Sequence, residues 1–230
     1  MLPGVDDGAK TIDESLALLN IMKKQGITHV IATPHFYAMD ESLEDYINRI
    51  NLSYNKLMNA ANETELPKIY LGSEVLYYRY IGQSESVYKF CLNNSQYLLL
   101  ELTDNCIDSG FFEDIIKLRD NMGITPIIAH LERYYKASGY RKLLKFIRDE
   151  RILTQINASS LFIDSYSKTA EKLIKKGIIN FIATDAHSPI SRPPMMKEAL
   201  MKISERLGQE YLSGFIRNSQ ILLEQIDAKK

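Results

Sequence analysis

Residues 178–187 read IINFIATDAH, a short apolar run followed by an acid and a histidine two positions apart. A run of this length, flanked by polar stretches, fits a strand covered on both faces, as parallel sheets require. Asp185 and His187 stand at alternating positions and point the same way, which suits joint ligation of a cation. Working outward, the pattern recurs five more times. Residues 27–33 (ITHVIAT) lead to His35, residues 68–72 (KIYLG) to Glu74, and residues 96–102 (QYLLLEL) contain Glu101. Residues 125–129 (TPIIA) lead to His130, and residues 152–156 to Asn157. Amphipathic stretches separate these runs, expected as helices over residues 11–24, 41–61, 111–121, 140–149 and 168–176. Thr11 and Glu14 form a capping box for the first, and Gly26 stops it. Two further helices, over residues 194–207 and 210–226, close the chain.

Strand–helix alternation with apolar strands gives an α/β fold, either a doubly wound sheet or a (β/α) barrel. The polar residues favour the barrel. In a barrel the C-terminal ends of the strands converge on one mouth. Only 29 acids and 4 histidines are spread over 230 residues, yet five of the six strand ends carry one or more, including three of the histidines. Imidazole and carboxylate together are ligand chemistry for Mn²⁺, Fe²⁺ or Zn²⁺. Glu101 within an apolar strand would be costly to bury without a cation partner. His29, in mid-strand, is read as structural, and the tyrosines at 77, 78 and 80 as packing residues or a rim.

Composition narrows the function. A length of 230 residues fits a single domain spanning residues 1–230. The net charge of −1 offers nothing to nucleic acid, and no apolar run is long enough to insert into a membrane. With two cysteines and no disulfide framework, a reduced cytoplasmic setting is expected. A thiol phosphatase needs an arginine six positions after its cysteine. Tyr97 follows Cys91 at that spacing and Phe112 follows Cys106, so phosphatase chemistry here would have to come from metal.

Five segments together resemble a known family: LPGVDDGAKT (2–11), ATPH (32–35), GSE (72–74), IIAHLERY (127–134) and ATDAH with the later RPP (183–187, 192–194). Taken in order and spacing, they resemble the PHP-superfamily bacterial tyrosine-protein phosphatases of the CpsB/CapC/YwqE type. The resemblance runs nearly end to end. It implies a distorted seven-stranded, TIM-like (β/α) barrel with up to three divalent ions, Mn²⁺ foremost. The implied metal ligands are Asp7, His35, Glu74, Glu101, His130, Asp185 and His187. Arg133 and Arg192 would bind phosphate, for which a planar guanidinium fork is suited. His187 or His130 could protonate a poor leaving group, and Asp6 would support Asp7 or form a turn. The implied reaction is hydrolysis of phosphotyrosine in protein, on a tyrosine autokinase that controls capsular or exopolysaccharide synthesis. Rival readings are a small-molecule phosphatase, such as one for histidinol phosphate, and a metal-poor binding module.

One departure qualifies the resemblance. The family opens with a strand ending in His-x-His just before the LPG segment, and here that segment starts at Leu2. The expectation is a barrel without its first strand, holding fewer ions and turning over poorly. A start codon placed downstream of the true one is the favoured explanation over a truncated product.

Overall fold

The computed structural model describes residues 1–61 and 65–228. Seven α-helices alternate with parallel strands: α1 (Ile12–Lys24), β1 (His29–Ala32), β2 (His35–Phe36), α2 (Leu43–Ala60), β3 (Lys68–Leu71), β4 (Glu74–Leu76), β5 (Tyr97–Glu101), α3 (Ser109–Asp120), β6 (Thr125–Ile128), α4 (Tyr140–Glu150), β7 (Leu153–Asn157), α5 (Asp164–Lys175), β8 (Phe181–Ala183), α6 (Met196–Arg206) and α7 (Gln209–Asp227). The pairs β1/β2 and β3/β4 each continue one strand position across a break. β1 pairs with β3 and β2 with β4, both parallel. The first break falls at Pro34, which has no N–H to donate. The second follows Gly72, where an added Cβ would meet Leu92 Cδ2 at 2.6 Å.

The strand order β2-β4-β5-β6-β7-β8 follows chain order throughout. A doubly wound sheet would reverse direction at a switch point, and this sheet does not, so it curls as a barrel wall. The wall is open. Among the described residues, no backbone pairing joins β8 to β1. A cleft of about 510 Å³ separates them, lined by Val30, Ile31, Phe181, Ile182, Leu222 and Leu223 among others. Among the described residues, six strand positions form an open curl.

Alternation along the strands assigns the two faces. Leu98, Leu100, Ile128, Ile156 and Ile182 pack outward with residues of α3, α4 and α5 such as Phe111, Ile115, Leu143, Ile147 and Leu173. Tyr97, Leu99, Ile127, Leu153 and Phe181 face inward, where Leu222, Leu223 and Ile226 of α7 meet them. The last turns of α7 close the N-terminal end of the curl. Lys68 and Tyr70 of β3 bond Asp227, and Tyr97 bonds Gln225. The opposite end is left open as a mouth.

Element boundaries moved in small ways. β8 is shorter than residues 178–184 suggest, and α5 begins at Asp164 rather than near residue 168. Thr11 caps α1 by accepting from the Glu14 N–H at 3.2 Å. Glu14, however, accepts from Lys10 N–H rather than closing the box on Thr11. Tyr77 packs on Phe111 and donates to the buried Asp114, so it is a packing residue rather than a rim. His29 is exposed, hydrogen-bonds Thr28 and stacks on Tyr70, away from the mouth.

Candidate metal centre

Inward-facing positions become polar at the C-terminal ends of the strands. Along β5, Tyr97, Leu99 and Glu101 share a face. Along β7, Leu153, Gln155 and Asn157 do. The sheet thus turns its own period into a ring of ligand groups at the mouth.

His130 stands at the centre of one cluster, only 2% exposed. Its Nε2 lies 3.0 Å from Glu74 Oε1 and 3.3 Å from Glu101 Oε1. Burial opposes a charge on this imidazole, but the two carboxylates outweigh it and push the pKa up to about 9. Burial likewise opposes ionisation of Glu101, yet its contact with His130 leaves its pKa lowered. On the other side of the ring, Nδ1 is 3.0 Å from the Tyr134 hydroxyl, which also accepts from Leu102 N–H at 2.9 Å. Tyr134 therefore fixes the ring so that Nε2 faces the carboxylates. Such an orienting bond on the remote nitrogen is usual behind a metal-ligating histidine.

A second cluster adjoins it. His187 Nε2 lies 3.1 Å from Asp7 Oδ1, and His35 Nε2 lies 3.5 Å from the same oxygen. His35 Nδ1 faces Glu101 Oε2 at 3.8 Å, and the His35 and His187 ring centroids are 6.0 Å apart. Asp7 reaches this place on a pinned loop. Ser15 holds the Met1 carbonyl, Ser53 the Pro3 carbonyl and Arg49 the Val5 carbonyl. Asp6 forms the turn: its Oδ1 accepts from Gly8 N–H and its Oδ2 from His35 N–H. Burial opposes the Asp6 charge, but the N-terminal amine and these bonds leave its pKa lowered.

Asp185 joins the clusters to the arginines. Its Oδ2 accepts from Arg133 Nη2 at 2.7 Å, Arg192 Nη2 at 2.8 Å and Asn157 Nδ2 at 2.6 Å. Burial opposes the Asp185 charge as well, but the two guanidinium groups hold the pKa below the usual carboxylate range. Both His130 (φ 32) and Asp185 (φ 46) take the left-handed backbone conformation, uncommon outside glycine and often found where side chains must be re-aimed at a site.

All seven residues read from the sequence as ligands, together with Arg133 and Arg192, thus gather at one mouth. A divalent cation suits them on two further observations. His35 Nδ1 is buried and has no hydrogen-bond partner among the described residues. Two groups, Asp7–His35–His187 and His35–Glu74–Glu101, each have ligand atoms within 4.8 Å of one another and share His35. Sequence reasoning gave no role to Tyr134 or Gln155. The spacing of Tyr134 four residues after His130 was the available signal for the first. Gln155, two before Asn157 on an inward face, was the signal for the second.

Comparison with known proteins agrees with this geometry. The chain is 32% identical to the tyrosine-protein phosphatase CpsB of Streptococcus agalactiae over 96% of its length and 94% of that protein. It is 25% identical to the tyrosine-protein phosphatase YwqE of Bacillus subtilis, covering 97% of this chain and 89% of that one. A solved structure from work on YwqE of Bacillus subtilis and CpsB of Streptococcus pneumoniae, described as unique metal-dependent tyrosine phosphatases, superposes with a TM-score of 0.86 at 25% identity. That match covers 97% of this chain and 92% of the other. The sequence model of the family described as "Capsular polysaccharide synthesis, CpsB/CapC" matches residues 1–224. The chain belongs to the CpsB/CapC family.

Proposed function

We propose that this chain is a metal-dependent protein-tyrosine phosphatase of capsular polysaccharide synthesis, working as one domain in the cytoplasm on a tyrosine autokinase. The observation that carries the reading is the convergence of imidazoles, carboxylates and two arginines on one mouth. Asp7, His35, Glu74, Glu101, His130, Asp185 and His187 would hold the ions; this nitrogen–oxygen set suits Mn²⁺, Fe²⁺ or Zn²⁺, and the family resemblance points to Mn²⁺. Bound ions would supply a water of lowered pKa and Lewis-acid polarisation of the phosphoryl oxygens.

The residues of the chain do the rest. Arg133 and Arg192 both reach Asp185 Oδ2, so an arriving phosphate has two guanidinium groups within range to neutralise its oxygens. Asp185 stays held by Asn157 as they turn to the substrate. A tyrosine phenolate leaves with little acid help; His187 would protonate a poorer leaving group only in a state where it holds no ion. The tyrosine-phosphatase names of the relatives favour a protein substrate over histidinol phosphate. The open wall suits one further parallel strand between β8 and β1, which would complete a seven-stranded barrel and bring more ligands to the rim.

The direct test is hydrolysis of a phosphotyrosyl peptide by metal-stripped protein, with and without added Mn²⁺. Mn²⁺-dependent turnover is expected. Arg133→Lys and Arg192→Lys should each lower kcat/KM by about 10²–10³, the usual cost of losing one oxyanion-stabilising donor, at unchanged Mn²⁺ content. Equal turnover without metal, or preference for histidinol phosphate, would reject the reading.

A further inference from the structure

Two residues of β7, Gln155 and Asn157, lie outside the five segments that carry the family resemblance, yet they join the two strained ends of the site. Gln155 is 5% exposed and Asn157 1%. Buried amides persist only when their donors and acceptors are paired, and these are paired in a single direction. His130 N–H donates to Gln155 Oε1 at 3.0 Å. Gln155 Nε2 then donates to Asn157 Oδ1 at 2.7 Å. Asn157 Nδ2 donates in turn to Asp185 Oδ2 at 2.6 Å. The chain starts at a backbone N–H, which can only donate, and ends at a carboxylate, which accepts. Flipping either amide would set donor against donor and acceptor against acceptor, so both orientations are fixed by the ends.

Those ends are His130 and Asp185, two ligand-type residues with left-handed backbones, on the loops after β6 and β8. β7 lies between those strands in the sheet. Asn157 is anchored from below as well. Its N–H donates to Glu132 Oε1 at 3.1 Å, and the Ser160 hydroxyl donates to the same oxygen. Glu132 is fully buried and lies two residues beyond His130. The bridge therefore spans three strand ends, and its last acceptor, Asp185 Oδ2, is the oxygen that both arginines also bond.

We propose that Gln155 and Asn157 are positioning residues for the metal centre: a one-way amide relay that sets the His130 turn and the Asp185 carboxylate in register with each other. The proposal rests on the metal-centre reading above. Orienting partners behind metal ligands typically change affinity by about 10–100-fold when removed.

The test is Mn²⁺ titration calorimetry on metal-stripped protein, alongside its thermal midpoint and the kcat and KM for p-nitrophenyl phosphate. Asn157→Ala and Gln155→Met should each weaken Mn²⁺ binding by about 10–100-fold. The double variant should be scarcely weaker than either single one, because both interrupt the same chain. KM should change less than kcat. Gln155→Met removes no direct partner of Asp185, and keeps the test decisive if Asn157→Ala does not fold. Unchanged Mn²⁺ affinity in a folded variant, or fully additive losses, would overturn the relay while leaving the phosphatase reading intact. Failure of the wild-type chain to bind Mn²⁺ at all would overturn both.

Discussion

His130 condenses the residue-scale logic of the site. Two carboxylates within 3.3 Å of one buried imidazole nitrogen hold a proton there when no metal is bound. The pKa of about 9 means that a cation taking Nε2 must displace that proton at neutral pH. A raised pKa favours the protonated, metal-free form below it, so Mn²⁺ affinity should climb about tenfold per unit from about pH 7 and level off above about pH 9. Calorimetry in buffers of different ionisation enthalpy should register close to one proton released at neutral pH for the ion that takes Nε2. Release of none would show that His130 does not ligate through that nitrogen. The histidines and acids gathered at the mouth were readable in the sequence because such residues are rare at the ends of apolar runs, save Asp7, which only the family resemblance pointed to. Tyr134 and Gln155 were not, because tyrosine and glutamine beside strands read equally well as packing, and their importance lies in what they bond.

At the scale of elements, the sequence conveyed strand and helix alternation well, because buried parallel strands are almost uniformly apolar. What it could not convey was how each strand position breaks near the mouth. β1 becomes β2 at Pro34, whose carbonyl accepts from Glu74 N–H at 3.1 Å, and this pins His35 and Glu74 side by side in register. Gly72 makes the matching break possible by letting the backbone pass Leu92. Gly72→Ala would set a Cβ 2.6 Å from Leu92 Cδ2 and 3.2 Å from Leu92 Cα. It is expected to cost about 1–3 kcal/mol, the usual range for overpacking, and to weaken Mn²⁺ binding because Glu74 is two residues away. Denaturant melts and calorimetry should show both losses, and a variant of wild-type stability would mean that Leu92 moves aside freely. Capping at Thr11 was legible from a local four-residue pattern. The destination of the Glu14 carboxylate was not, because it depends on how the preceding loop folds over α2.

For the molecule as a whole, chain-order strand pairing ruled out the doubly wound alternative that periodicity alone left open. The opening between β8 and β1 is the feature with most consequence. Two parallel edges, unpaired among the described residues, face each other across an apolar cleft, an arrangement that ordinarily invites association with other chains. Met1 lies at the upper part of this opening, among Val30, Ile31, Ala183 and Thr184. A strand fused ahead of Met1 and ending in His-x-His should raise the thermal midpoint and increase Mn²⁺-dependent turnover by orders of magnitude. The same strand with alanines for both histidines should give the stability without the turnover. If neither addition changes the melting temperature, the cleft does not receive a strand.

The two ends of the curl are secured by different means. At one end α7 seals the strands with covalently continuous helix, through Asp227, Gln225 and Ile226. At the other, residues as distant along the chain as Asp7 and His187 meet through side-chain groups suited to a shared ion, beside a small apolar contact of Ala9 and Ala186 with Leu18 and Met22. Chelation would thus loosen the catalytic rim while the sealed base kept its shape, so that losing the ion and losing the fold become separable events in one small protein.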